Sequence, residues 1–155
     1  MKRALVALVS MLLIIQCGEH EKPMKSHALR LTPGQDLKFE IERFVKEKKL
    51  ESGWIITAVG SLTRTHLRYA NQPEGVRKQG HFELVSLVGT LSQSGCHLHA
   101  SVSDSTGATL GGHLLEDNII YTTMEIVIGE GTDMIFSREQ DGTTEWPELQ
   151  IRQKQ

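Results

Sequence analysis

The chain has 155 residues, 39% of them hydrophobic, and its 17 lysines and arginines stand against 19 aspartates and glutamates for a formal net charge of -2. That length suits a single domain able to fold without staples, and the balanced charge excludes an overall electrostatic footprint for nucleic acid. Cys17 and Cys96 are the two cysteines, which excludes a disulfide framework.

Lys2 and Arg3 precede an uncharged apolar run from Ala4 to Ile15, followed by Gln16, Cys17 and Gly18. This is signal-peptide architecture over residues 1–17, in a run too short to span a bilayer comfortably, and it predicts an exported or secreted protein. Cys17, directly after the run, also stands where bacterial lipoproteins carry their lipidated cysteine, which would supply a membrane anchor, although Gln16 departs from the small residue usual before it. A start at Met24 is the alternative and would leave the protein in the cytoplasm. Residues 18–28 are polar, carry Pro23 and read as a linker; the domain is expected over 29–151, with a tail at 152–155.

Leu29 to Leu31 reads as a short strand. Thr32-Pro33-Gly34-Gln35 then supplies an N-cap threonine, proline at the first helical position and glutamine at the third, a capping-box pattern. Leu37, Ile41, Phe44, Val45 and Leu50 recur at steps of three and four, so a helix with one apolar stripe is expected, ended by Ser52-Gly53. Lys46, Lys48 and Lys49 on this helix alternate with Glu42, Glu47 and Glu51, which reads as a solvated face.

Beyond Gly53 the period changes to that of strands. They are expected at Trp54 to Leu62, Thr65 to Tyr69, Phe82 to Leu91, Cys96 to Ser103, Thr109 to Leu115, Tyr121 to Ile128 and Asp133 to Ser137, with glycine or Asn-Gln-Pro turns between most of them. One helix cannot cover a sheet of this size, so part of the apolar strand surface is expected to meet another subunit.

The chemistry concentrates in the strand from Cys96 to Ser103 and the one after it. Alternate strand residues share a face, so His97 and His99 project together, with Cys96 and Leu98 behind them. Asp104-Ser105-Thr106-Gly107 reads as a hairpin loop with Gly107 in the left-handed position, a register that pairs Asp104 with Ala108, Val102 with Leu110 and His99 with His113. A two-residue loop would instead send His113 to the other face. Three neutral imidazoles at one point suit zinc and leave a fourth position for water or a ligand. Cys96 is expected to be a small buried hydrophobe. Nothing in the spacing of His66 and His81 selects them, and His20 and His27 fall in the polar N-terminal part. The chain has no phosphate loop, dinucleotide fingerprint or His-Glu-x-x-His helix, and no acid is placed by sequence to complete a triad with Ser101.

Gly80-His-Phe-Glu-Leu-Val-Ser-Leu-Val-Gly-Thr-Leu91, His97-Leu-His-Ala-Ser-Val-Ser-Asp104 and Gly111-Gly-His-Leu114, in this order and spacing, resemble the PPC domain, also called DUF296, in its prokaryote-type form. Ala58-Val-Gly-Ser-Leu62, Leu67-Arg-Tyr-Ala70, Phe136-Ser-Arg-Glu139 and Glu148-Leu-Gln-Ile151 extend the resemblance from about Leu29 to Ile151. It implies an α+β fold, a largely antiparallel β-sheet with one main helix packed on it, assembling as a homotrimer. It also implies a metal on His97, His99 and His113, with Glu83 of the Gly-x-Phe-Glu motif as the nearest carboxylate. Plant members join this domain to AT-hooks, and this chain carries no such Arg-Gly-Arg core, so DNA binding is not inherited with the fold. Two functional readings follow. One is a zinc-binding trimeric module for assembly or for binding a protein or small-molecule partner; the other is a zinc-dependent hydrolase with Glu83 as general base.

Overall fold

A computed structural model describes residues 24–155; the predicted leader, Cys17, His20 and most of the predicted linker lie outside the described residues. The elements are β1 (Lys25–Leu31), α1 (Leu37–Lys48), β2 (Gly53–Arg68), β3 (Gly75–Ser92), β4 (Gly95–Asp104), β5 (Thr109–Leu114), β6 (Ile119–Glu130), β7 (Met134–Glu139) and β8 (Glu148–Gln153). The fold is thus mostly antiparallel sheet with one helix, as expected. Several boundaries differ. β1 starts four residues before Leu29, inside the segment read as linker, because its backbone is tied residue by residue to β6 from Lys25↔Glu130 to Leu31↔Met124. The strands expected at Trp54 to Leu62 and Thr65 to Tyr69 are one strand with a register shift between Leu62 and Arg64. β8 was not foreseen as a strand; it pairs only with β7, from Met134↔Gln153 to Glu139↔Glu148.

The helix begins later than the capping-box reading has it. Thr32 and Gln35 do bond, with the Gln35 Oε1 accepting from the Thr32 amide at 2.7 Å, but they close a turn of their own. Asp36 is the N-cap, extended at φ -88° and ψ 125°, and its side chain accepts from the Phe39 amide at 2.9 Å. The helix stops at Lys49 in the left-handed conformation, φ 53°, ahead of the Ser52-Gly53 end read from sequence. Its stripe of Leu37, Ile41 and Val45 is fully buried, each side chain contributing about 1.5–3 kcal/mol by leaving water. They meet Leu31, Leu62, Leu91, Met124, Ile126 and Ile128 from the sheet in one core.

The main sheet runs β1-β6-β2-β3-β4-β5. It curls until β5 also pairs with the far end of β2, through Leu67↔Leu114 and Arg68↔His113. Gly112 makes that approach possible, since a Cβ there would lie 2.5 Å from the Arg68 carbonyl oxygen. Beneath the closure sits Asn118, fully buried. Its side chain accepts from the His66 amide at 2.8 Å and donates to the carbonyls of Leu115 and His66 at 2.6 and 3.2 Å. Its own amide donates to Asp36 Oδ2 at 3.0 Å, and its carbonyl accepts from Leu37 N–H at 2.9 Å. One asparagine thereby joins the helix start to the closure of the sheet, with buried backbone groups as its partners.

Candidate metal centre

The β4–β5 hairpin brings the three histidines together. Asp104 N–H donates to the Ala108 carbonyl at 3.0 Å, and Gly107 adopts φ +84°, the left-handed turn conformation that glycine accepts without strain. The loop is held by Asp104 Oδ1, which accepts from the Thr106 and Ala108 amides at 2.8 and 3.1 Å. From there the ladder runs Ser103↔Thr109, Val102↔Leu110, Ser101↔Gly111, Ala100↔Gly112 and His99↔His113 without interruption. Gly111 and Gly112 host no bulge, and the register matches the one inferred from the loop.

His97, His99 and His113 offer ring nitrogens that all lie within 4.8 Å of one another. The ring centroids are 5.0 Å apart for His97 and His99, 5.1 Å for His97 and His113, and 5.6 Å for His99 and His113. His97 Nε2 and His99 Nε2 are 3.2 Å apart, close to the roughly 3.3 Å between two nitrogens on a tetrahedral zinc. His113 Nδ1 is buried and has no hydrogen-bond partner among the described residues. Burial pulls the His113 imidazole down to about 4, helped by His97 and by the Arg68 guanidinium. Burial also lowers His97, with Arg138 and His99 adding to the effect. The His97 and His113 imidazoles are thereby held toward the neutral form, which presents a lone pair as a metal requires. The three-imidazole donor set and the orphaned nitrogen both fit a metal ion.

A cavity of about 540 Å³ opens beside His97 and His113. Its walls include Arg68, Leu115, Arg138, Trp146, Pro147 and Glu148. Arg68 reaches it because it is the β2 partner of His113. The other wall comes from the β7–β8 hairpin, which is pinned to the main body by Phe136 N–H donating to the Glu51 carbonyl at 2.8 Å and Arg138 N–H donating to Ser94 Oγ at 2.9 Å. Arg138 Nη2 donates to Thr90 Oγ1 at 2.6 Å, and the Arg68 guanidinium lies 5.3 Å from the Trp146 ring. Among the described residues neither Arg68 nor Arg138 forms an ion pair, and Glu148 is the carboxylate lining this cavity.

Glu83 is elsewhere: it is exposed on β3 opposite Ser103, four residues along β4 from His99, so within this chain it does not stand at the histidines. Strand spacing makes that separation about 13 Å. His66 is buried, its Nδ1 bonded to the Glu116 carbonyl at 2.8 Å, and the His81 ring packs at a tilt against Tyr121, centroids 4.4 Å apart; neither joins the cluster. His27 bonds Glu130 at 2.8 Å. Cys96 is half-buried and packs against the core, and burial raises its thiol to about 11. Sequence reading missed Arg68, Arg138, Trp146 and Glu148. The available signal was weak, since Leu67-Arg68-Tyr69 and Phe136-Ser137-Arg138 stood among the quoted motifs without any chemistry assigned to them.

Comparison with known proteins agrees with this architecture. The family model described as the Plants and Prokaryotes Conserved (PCC) domain matches residues 18–132. A hypothetical protein from Salmonella enterica superposes with a TM-score of 0.83 at 41% identity, over 86% of this chain and 96% of that one. A metal-containing protein from Archaeoglobus fulgidus superposes at 0.69 with 28% identity, over 81% of this chain and 93% of that one. A plant- and prokaryote-conserved protein from Pyrococcus horikoshii gives 0.65 at 26% identity, over 81% and 93%. Among curated proteins, the bifunctional protein GlmU of Synechococcus sp. strain JA-3-3Ab is 44% identical over 128 residues, 83% of this chain but 21% of that protein. The chain thus spans about a fifth of the length of the curated relatives it matches.

Proposed function

The chain belongs to the Plants and Prokaryotes Conserved domain family, and from that premise we propose that it is a zinc-binding module in which His97, His99 and His113 hold the ion and a homotrimer is the working unit. The observation that carries the metal reading is the orphaned, buried His113 Nδ1 within a set of three imidazoles whose nitrogens lie within 4.8 Å. A similar fold in a metal-containing archaeal protein supports it. Zinc supplies a Lewis-acid position there, and with three protein ligands one coordination position stays available to water or to a partner group. The protein's part is to hold His97 and His113 toward the neutral form, to fix the register of all three imidazoles through the Gly107 turn, and to shield one side with the β7–β8 hairpin.

The number of copies is what the family resemblance implies; association itself is supported by exposed aliphatic side chains on neighbouring strands, Ile56 and Val59 of β2 with Val85 and Val88 of β3, the last three more than half exposed. Such a strip on a strand face fits burial against another copy. The role favoured is assembly or partner binding, with the metal at the recognition site.

A zinc-dependent hydrolase is the second reading, and the cavity beside the histidines favours it. Within this chain the carboxylate available to handle a proton is Glu148, since Glu83 stands four residues along the ladder. Metal content per chain, together with mass in solution, tests the proposal on protein purified without an affinity tag. About one zinc per chain in a trimer supports it; a protein that stays metal-free when zinc is supplied refutes both the metal module and the hydrolase.

A further inference from the structure

Arg68 and Arg138 are half-buried guanidiniums in one cavity, and among the described residues neither forms an ion pair. Arginines inside a shaped pocket ordinarily find a carboxylate or phosphate, because a planar guanidinium recognises the planar anion through paired N–H donors. Among the described residues the one anion on the cavity wall is Glu148, so two positive charges face one negative even before a metal adds its own. The pocket is not uniformly polar: Leu115, Trp146 and Pro147 present an apolar side, and the Trp146 ring is already within 5.3 Å of the Arg68 guanidinium. At about 540 Å³ the cavity lies in the range that holds a metabolite-sized molecule.

We propose that this cavity binds a small organic acid, its carboxylate held between Arg68 and Arg138 beside the histidine centre and its apolar body laid against Trp146 and Pro147. The inference deepens the metal-centre reading and rests on it for orientation: a carboxylate between the two arginines is presented to whatever His97 and His113 hold. It names the ligand class of a site for which the fold alone gives none. The two arginines reach the pocket by separate routes, one through the β2–β5 pairing and one through the pinned hairpin. Arg138 is steadied by Thr90 and Ser94, and Arg68 by the Gln72 carbonyl at 3.4 Å and the indole face.

The test is calorimetric titration of the zinc-supplemented full chain with benzoate, with benzamide as the uncharged isostere and inorganic phosphate as the anion without an apolar body. Benzoate is expected to bind and benzamide not to, with the affinity falling about tenfold or more in Arg68→Gln and in Arg138→Gln and unchanged in Arg30→Gln, whose side chain bonds Thr123 on the far strands. Trp146→Ala is expected to weaken benzoate and leave phosphate unaffected. Circular dichroism of each variant establishes that the fold is intact, and Arg→Lys at either position, which keeps the charge, separates lost recognition from lost structure. Equal benzoate affinity in wild type and both glutamine variants overturns the proposal, and so does an absence of benzoate binding at millimolar concentration. Phosphate binding as tightly as benzoate, with both indifferent to Trp146→Ala, overturns the organic-acid assignment. Zinc content measured on the same samples keeps the two readings apart: arginine-dependent benzoate binding in protein that takes no zinc refutes the metal centre and upholds the anion pocket.

Discussion

Arg68 stands directly opposite His113 across the short ladder that joins the end of β2 to β5. The pairing closes the curled sheet and fixes a guanidinium beside an imidazole. Burial first, and the guanidinium with it, keep that imidazole toward its neutral form, so the contact that completes the fold also bears on the protonation of the nitrogen.

Replacing Gly112 with alanine strikes at this closure. The added Cβ would sit 2.5 Å from the Arg68 carbonyl oxygen, which is backbone and cannot swing aside. A loss of about 1–3 kcal/mol is expected, as for other overpacked sites, with weakened zinc binding because His113 is the next residue. Thermal melting paired with a zinc titration reads both effects, and unchanged values in both would show that the two strands are not tightly apposed in solution.

His113→Ala is expected to lose the metal while keeping the fold. The side chain lies on the histidine face, outside the apolar core that holds the sheet and helix together. Stability of the metal-free protein should move by no more than about 0.5 kcal/mol, as for substitutions away from the core. Elemental analysis and a melting curve decide the matter; a variant still carrying stoichiometric zinc would remove His113 from the ligand set.

Asn118→Leu has the opposite profile. It leaves the Leu115 and His66 carbonyls and the His66 amide buried without their side-chain partner, which costs about 2–4 kcal/mol. The melting temperature should drop by several degrees, whether or not zinc is present. A drop confined to the zinc-loaded protein would contradict a purely structural role.

Cys96 should be a slow thiol. Burial raises it to about 11, with Glu42 adding to the rise, so at pH 8 only about one molecule in a thousand is thiolate. Because the raised value favours the neutral form, alkylation by iodoacetamide should climb about tenfold per pH unit from pH 8 and level only near the raised value. A plateau near pH 8.5 would mean the thiol is open to water.

Val88→Asp places a charge among Ile56, Val59 and Val85. If these side chains meet another copy, the mass in solution should fall to that of one 17.3 kDa chain while the circular dichroism spectrum is retained. An unchanged mass would move the contact to another face.

The histidine register was legible because a hairpin loop carries its own geometry. Gly107 in the left-handed conformation and Asp104 as the loop acceptor are local features, and two-residue periodicity then propagates the pairing to His99 and His113. The helix stripe was equally plain, since Leu37, Ile41 and Val45 follow the helical period. Its start was not, because Thr32 and Gln35 satisfy the pattern of a cap while Asp36 holds the position by also binding the Asn118 amide, 82 residues away. β1 was cut short for a similar reason: polar Lys25, Ser26 and His27 are held by an edge pairing with β6 and not by burial. The cavity was illegible, since Arg68, Arg138 and Glu148 are brought together only by a sheet closure and by the docking of a separate hairpin.

That hairpin divides the site between two pieces of chain. The three imidazoles lie inside the stretch that matches the family, whereas Arg138, Trp146 and Glu148 fall after residue 132, on strands that pair only with each other or in the loop between them. On the proposed reading, changes there would alter what the cavity admits, since the ladder that sets His99 against His113 is formed by other strands. The residues that choose the ligand and the residues that hold the ion would therefore belong, on that same reading, to separate pieces of backbone, each free to change without the other.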